Sequence, residues 1–381
     1  MATTSPSPGK PLVLIDGREI SKKRGIGHFC RELLYNINEN TLSTDTRYMC
    51  LVPFGTPENF AKTFSNIDFI TTKVRDPIVW EQVALPIEAW RRRATHLICP
   101  YNTFPILLSP NVKRIIVYHD LIFLHASRVG GGAKLFFGNK YRSFLVRFLR
   151  DTDLILAVSE YTRDILRRFL GIDSVIIGNS CKHIASLITD ARPIISIEEY
   201  FLHIGGDALT KNTQHIIASF LIARKMAGPR FPRLIVLGAS RNYAEALKKT
   251  LRFGDEVSFR FSISDEEKSS IIKGCLAVVL VSTREGFGLP IIEAHAAQRR
   301  VITSRRRPMS DIAAASDLLV SPNDKSELIA AYLELAQRPD RCTPVAPDSE
   351  VMTDQFQIIE DLLMQFTFRH VGRGQAARGA T

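Results

Sequence analysis

No apolar run in this 381-residue chain approaches the ~18 residues of a membrane-spanning helix. The segment Met1 to Pro11 is polar and proline-rich and lacks the apolar centre of a secretory leader. The six cysteines (Cys30, Cys50, Cys99, Cys181, Cys275 and Cys342) form no Cys-x-x-Cys pair, which speaks against a zinc site or a disulfide framework. No His/Asp/Glu cluster has metal-ligand spacing, so neither a metal nor another cofactor is expected. Zinc fingers, RNP-type aromatic strands and long basic tracts are missing too, which excludes nucleic acid as the expected partner. These absences predict a soluble or peripheral protein of a reducing compartment. The expected location is cytoplasmic, extending to the inner face of the cytoplasmic membrane.

What is present is ordinary globular composition, 45% hydrophobic and 23% charged, with a net charge of +11. The charge is uneven: residues 1–190 carry 25 Lys+Arg against 17 Asp+Glu, and residues 191–381 carry 25 against 22. A basic half suits an anionic membrane surface or a pyrophosphate-linked substrate.

Short apolar strands alternate with amphipathic helices along the whole chain, the pattern of parallel sheets covered on both faces. Leu12–Ile15, Tyr48–Val52, Asp68–Thr71, His96–Cys99, Arg114–Tyr118, Leu154–Val158 and Ser174–Ile177 read as one set of strands. The weakly periodic stretch Asn179–Pro193 marks a boundary, and a second set begins at Tyr200–Ile204. The expected division is a first domain at 1–185, a second at 186–350, a helix at 351–370 crossing back to the first domain, and a disordered tail at 371–381. The fold class is α/β, with two Rossmann-like domains facing across a cleft at the carboxyl ends of their strands.

The most specific stretch is Arg284-Glu285-Gly286-Phe287-Gly288-Leu289-Pro290-Ile291-Ile292-Glu293. It follows the apolar strand Leu276–Val281, and Pro290 suits a first helical turn, where its missing N–H costs nothing. Gly286 and Gly288 would let backbone amides approach a ligand, and a helix start favours an anion. A compound with a diphosphate in the middle and hydroxyl-bearing rings at both ends fits such a strand, turn and helix. A nucleotide-sugar is one.

The stretch resembles the Glu-x7-Glu signature of retaining glycosyltransferases of family 4, or group 1, which have the GT-B fold. The resemblance runs over roughly residues 12–370. It implies that Glu285 contacts the transferred sugar, Glu293 the ribose, and the amides of Gly286, Phe287, Gly288 and Leu289 the sugar and diphosphate. Gly206, Lys211 and Asn212 are similar to the segment that grips the diphosphate, with Thr210 where the family usually has Arg. That exchange removes a bidentate fork and leaves Lys211 as a point charge. Arg284 or Arg305-Arg306-Arg307 would have to compensate. Gly25 and Gly27 resemble the family's N-terminal glycine loop. Trp80-Glu81-Gln82, Tyr101-Asn102 and His119-Asp120 look like mannosyltransferase-type members. This places His119 in the cleft as a catalytic group beside Glu285 and Lys211, with Tyr101 and Asn102 on the acceptor side. Ser159 reads equally as a helix cap.

Asp151-Thr152-Asp153 mimics a metal motif of the other main glycosyltransferase fold, but it lies at the sheet's amino end. Gly130-Gly131-Gly132 lacks the preceding strand of a phosphate loop. The expected partners are a nucleotide-sugar donor, GDP-mannose first, and a saccharide or lipid-linked saccharide of a surface polysaccharide. A nucleotide-sugar epimerase and a silent sugar-nucleotide-binding scaffold are the alternatives. The basic, Phe-rich helix Lys134–Arg150 reads either as a peripheral membrane contact or as a core helix with a solvated face.

Overall fold

Thirteen strands in the described residues form two wholly parallel sheets in a computed structural model, which describes residues 10–21, 25–40, 46–124, 133–179, 182–193, 199–337 and 355–363. In chain order the first seven are β1 (Leu12–Asp16), β2 (Arg47–Pro53), β3 (Ile67–Thr72), β4 (His96–Cys99), β5 (Lys113–Tyr118), β6 (Leu154–Ala157) and β7 (Val175–Ile176). They are arranged 3-2-1-4-5-6-7. The remaining six are β8 (Tyr200–Ile204), β9 (Arg233–Leu237), β10 (Val257–Arg260), β11 (Ala277–Leu280), β12 (Arg300–Ser304) and β13 (Leu318–Val320). Their order is 10-9-8-11-12-13.

Every residue of β1, β4, β6 and β11 is buried, because helices cover both faces of a parallel sheet. Apolar side chains on each face build separate cores, such as Ile15, Leu33 and Val117 on one face of the first sheet and Leu14, Trp80 and Ile116 on the other. The stretch 355–363 is helical and packs Phe356, Ile359, Leu362 and Leu363 onto the first of these cores. Its Glu360 accepts the Tyr48 hydroxyl at 2.5 Å. The expected continuation of this helix beyond 363, the tail, Gly130–Gly132, Cys181 and Cys342 lie outside the described residues.

Two elements differ from expectation. Lys182–Asp190 is a helix where the pattern was weak, with Ile188 buried against Tyr200 and Leu202. A proline inside a helix ordinarily bends it; at Pro86, in the first turn of the helix Leu85–Arg91, the distortion is absorbed one turn earlier. Trp80–Ala84 forms a wide π turn, with Leu85 N–H donating to Trp80 O. Such a turn accommodates the proline's missing donor and its bulk.

Candidate active site

Strand order reverses between β1 and β4 and between β8 and β11. At such switch points the loops part and leave a crevice beyond the strand ends. The loops after β5, β8 and β11 meet there around a cavity of about 340 Å³, lined from the first domain by His119 and Asp120 and from the second by Gly205, Lys211 and Glu285.

Glu285 accepts two hydrogen bonds on Oε1, from Lys211 Nζ at 2.7 Å and from Ser282 Oγ at 2.7 Å. Gly286, Phe287, Gly288 and Leu289 form the wall beside it. Gly288 has φ +114 and starts the helix Leu289–Ala296, with Pro290 in the first turn. Only glycine adopts that backbone without strain. Glu293 sits one turn on, 3% exposed. Its Oε1 takes Lys268 Nζ at 2.5 Å, while Oε2 is buried without a partner. A buried carboxylate oxygen with no donor is costly. Here it borders the cavity, where a ligand hydroxyl could satisfy it.

His119 is buried, and burial pushes its pKa down to about 4, so the ring is neutral near neutral pH. Nε2 lies 2.9 Å from Pro100 O, and a carbonyl can only accept, so Nε2 carries the proton and Nδ1 is left as the acceptor. Burial also raises the pKa of Asp120, and the nearby Glu285 charge acts in the same direction. Asp120 is thus a further carboxylate of this cavity, close enough to Glu285 to feel its charge. It was not singled out from sequence, although it adjoins His119 at a strand end.

The structure brings together Gly25, His119, Lys211, Glu285, Gly286, Phe287, Gly288, Leu289 and Glu293 at this cavity. Five other expected residues are not on its wall. Asn102 stands behind the His119 turn, accepting His119 N–H at 2.7 Å and donating to Asp120 O at 3.2 Å. Tyr101 is in the core, its hydroxyl held by Glu19 N–H and the Cys30 thiol. Asn102 therefore supports the turn from behind, while Tyr101 is committed to the core, and neither lines this cavity. Asn212 spends its amide on Val281 O and Pro322 O. Gly27 is buried in the helix Ile26–Asn40, and Gly205 lines the cavity in place of Gly206.

The cations differ from expectation as well. Arg284 and Arg307 line another cavity, and Arg305 pairs with Glu327. Lys268 and Arg31 join Lys211 at the first cavity instead. No spacing signal marked them, since Lys268 lies on the helix Asp265–Gly274, 25 residues before Glu293. Trp80-Glu81-Gln82 belongs to a buried network away from the cavity, in which Trp80 Nε1 donates to Asp16 and Arg18 donates to Glu81. Asp153 of the Asp-x-Asp sequence is bound by Arg114 at 2.5 and 2.8 Å. Among the described residues no group of three or more His, Cys, Asp or Glu could hold a metal ion.

The second cavity, about 460 Å³, shares Asp120 and Glu285 with the first and is walled by Tyr161, Asp164, Arg168 and Arg284. Two cavities meeting at the same carboxylates can hold two reactants on either side of one reacting atom.

The family model for glycosyl transferases group 1 matches residues 189–346, and that for glycosyltransferase family 4 matches residues 77–180. The O-antigen chain mannosyltransferase RfbU of Salmonella typhimurium is 28% identical over 252 residues, 64% of this chain and 66% of that protein. The serotype-specific mannosyltransferase WbdA of Escherichia coli is 26% identical over 238 residues, 57% of this chain and 28% of that protein. The chain thus spans less than two thirds of the length of these curated relatives. Among solved structures, Anabaena Alr3699/HepE in complex with UDP and glucose superposes with a TM-score of 0.62 at 14% identity, covering 93% of this chain and all of that one. The sucrose-phosphate synthase of Thermosynechococcus elongatus does so with a TM-score of 0.64 at 15% identity, covering 96% of this chain and all of that one. At these identities the structures show the fold, two parallel-sheet domains about a cleft. The two family models together take in more than half of the chain and contribute opposite walls of the cavity, and the chain belongs to the group 1, family 4 glycosyltransferases of the GT-B fold.

Proposed function

We propose that this protein is a hexosyltransferase that moves mannose from GDP-mannose to a saccharide acceptor of a surface polysaccharide, with retention at the anomeric carbon. The observation that carries the reading is the placement of Glu293 Oε2. This unpartnered buried carboxylate oxygen lies one turn into the helix Leu289–Ala296, and shares the cavity with the Lys211–Glu285 pair across the Gly286–Leu289 wall. The nucleotide ribose satisfies Glu293, the diphosphate lies against the turn and helix start, and the sugar reaches Glu285. The mannosyl preference follows the names of the two curated relatives.

In the reaction the acceptor oxygen bonds to the anomeric carbon as the bond to the phosphate oxygen breaks. The acceptor proton passes to the departing phosphate. Lys211, the turn amides and the helix start stabilise the developing negative charge, and we assign no metal to this step. The acceptor enters from the second cavity, past Asp120 and Glu285. His119, neutral, accepts a hydrogen bond on Nδ1 from a hydroxyl of the reacting sugar.

Peripheral membrane contact is part of the same proposal. No helix among the described residues is long and apolar enough to cross a membrane. Val79, Val83, Ile87 and Trp90 nevertheless recur at one helical face and are exposed, Trp90 by 75%. Gln82 links this helix to Tyr141 of the helix Ala133–Leu145, where Phe137 and Phe144 are also exposed. Arg91, Arg92, Lys140 and Arg147 are exposed close by in sequence, so the face combines apolar and cationic groups as an anionic interface requires.

Product analysis by mass spectrometry tests the transfer. Purified protein, GDP-mannose and a panel of mannose- and N-acetylglucosamine-terminated glycolipids should yield a mannosylated product and GDP. Release of free altered sugar without an acceptor would favour an epimerase, and GDP-mannose binding without any turnover would favour the silent sugar-nucleotide-binding scaffold. Co-sedimentation with phosphatidylglycerol vesicles tests the membrane face: binding at low salt should be lost in Trp90→Ser.

A further inference from the structure

The loop that carries Glu285 belongs to the second domain, yet its backbone is held by the first. The carbonyl of Gly286 accepts the Ser159 hydroxyl at 3.0 Å. The Thr162 hydroxyl lies 3.2 Å from His119 O and 3.4 Å from Gly286 O, so its single proton is shared between the two sides of the cleft. Ser159 is 8% exposed and Thr162 1%, so these bonds are made where water does not compete.

Three further observations put the same contact under constraint. A Cβ at position 286 would stand 2.0 Å from His119 O, which means that the two backbones already touch. Phe287 packs against a core of each domain, filling the seam beside the contact. Arg307 of the second domain pairs with Asp164 of the first at 2.8 Å and lies over the Tyr161 ring. That last pair is half exposed and adds little by itself. Asp164, Tyr161, Thr162 and Ser159 all belong to one element, the helix Glu160–Leu170 and its N-cap.

Ser159 therefore has two roles. Its oxygen accepts Thr162 N–H at 3.1 Å and caps the helix, while its proton is directed to Gly286. The cap fixes the helix start, and the helix start fixes the hydroxyls that reach across the cleft. Glu285, immediately before Gly286, and His119, on the opposite wall, are thereby set at one separation.

We propose that Ser159 and Thr162 are positioning residues, forming a closure latch that fixes Glu285 against His119 for sugar transfer. The proposal rests on the transferase reading above. Neither residue lines the donor cavity; Ser159 acts through the Gly286 carbonyl, and Thr162, at the edge of the second cavity, through the Gly286 and His119 carbonyls. A displacement of about 1 Å at such a site can cost roughly a hundredfold in rate. The latch thus couples turnover to domain closure without contributing to nucleotide affinity.

The test uses the full chain with Thr162→Val, which is isosteric and keeps the helix, and Thr162→Ser, which keeps the hydroxyl. Thr162→Val should lower kcat for mannosyl transfer roughly ten- to hundredfold. The dissociation constant for GDP and the melting temperature should stay near the wild-type values, and Thr162→Ser should restore most of the rate. Small-angle X-ray scattering reads the latch independently of catalysis: the Ser159→Ala/Thr162→Val double variant should show a larger radius of gyration. An unchanged kcat in Thr162→Val, or equal losses in Thr162→Val and Thr162→Ser, overturns the positioning role. An unchanged radius of gyration in the double variant overturns the latch. If the wild-type protein transfers no mannose, the proposed function fails, and scattering alone decides the latch.

Discussion

Gly286 and His119, 167 positions apart, meet backbone to backbone across the cleft: a side chain at 286 would begin 2.0 Å from the His119 carbonyl oxygen. Glycine is required at 286 by this approach between domains, and at 288 by a left-handed backbone. Two glycines in one turn thus answer two different physical demands. Gly286→Ala should therefore hold the domains apart. We expect near-complete loss of transfer, with overpacking costing about 1–3 kcal/mol of stability. Steady-state kinetics and thermal melting of the variant check this, and a variant with normal turnover would contradict the contact.

The two signature carboxylates should separate kinetically. Glu285→Gln removes the charge that Lys211 and Ser282 orient, and it should reduce kcat with little change in GDP affinity. Glu293→Gln keeps the shape but loses charge-assisted bonds to the ribose and to Lys268. It should weaken GDP-mannose binding by about 1.5–3 kcal/mol. Isothermal titration with GDP and GDP-mannose distinguishes the two, and identical profiles for both variants would remove the division of roles.

The cation complement gives a third expectation. Lys268→Met should weaken GDP binding, because the lysine lines the donor cavity and holds Glu293. Arg305→Ala should leave GDP binding unchanged, since that arginine is tied to Glu327 outside the cavity. The same titrations decide, with salt raised to confirm that the Lys268 contribution is electrostatic.

Acid should destabilise the fold through its buried imidazoles. Burial pushes His119 and His203 down to about 4 and, with Lys268 and Arg31 nearby, His28 down to about 3. Unfolded, each would titrate near 6.5. Between these values the unfolded chain binds more protons, so stability must rise with pH across the window and fall as pH drops from 6.5 toward 3. Each unit of depression corresponds to about 1.4 kcal/mol per group. The three groups add no further slope above that range. Melting temperatures from pH 4 to 8 test the sign, and a maximum near pH 4 would contradict it.

Asp153 should behave as a structural anion. Arg114 is wholly buried and satisfies Asp153, Pro105 O and Phe148 O together. Asp153→Asn strands that guanidinium and should cost about 3–5 kcal/mol. Chemical denaturation measures the loss. A variant that lost manganese-dependent activity while keeping wild-type stability would instead make this aspartate a metal ligand.

The sequence alone determined the fold class and the heart of the site, because both are written locally. Alternating apolar strands and amphipathic helices require covered parallel sheets, and a strand, a glycine turn and a helix place Glu285 and Glu293 within ten residues. His119 was legible for the same reason, as it ends a strand that points into the cleft. Tyr101 and Asn102 also follow a strand end, yet packing put Tyr101 in the core and Asn102 behind His119, and no local pattern records which way a loop residue faces. Lys268 came to Glu293 from another helix, and Thr162 came to Gly286 from another domain, 124 positions away. Such contacts depend on how finished elements pack, so only the tertiary structure could decide them.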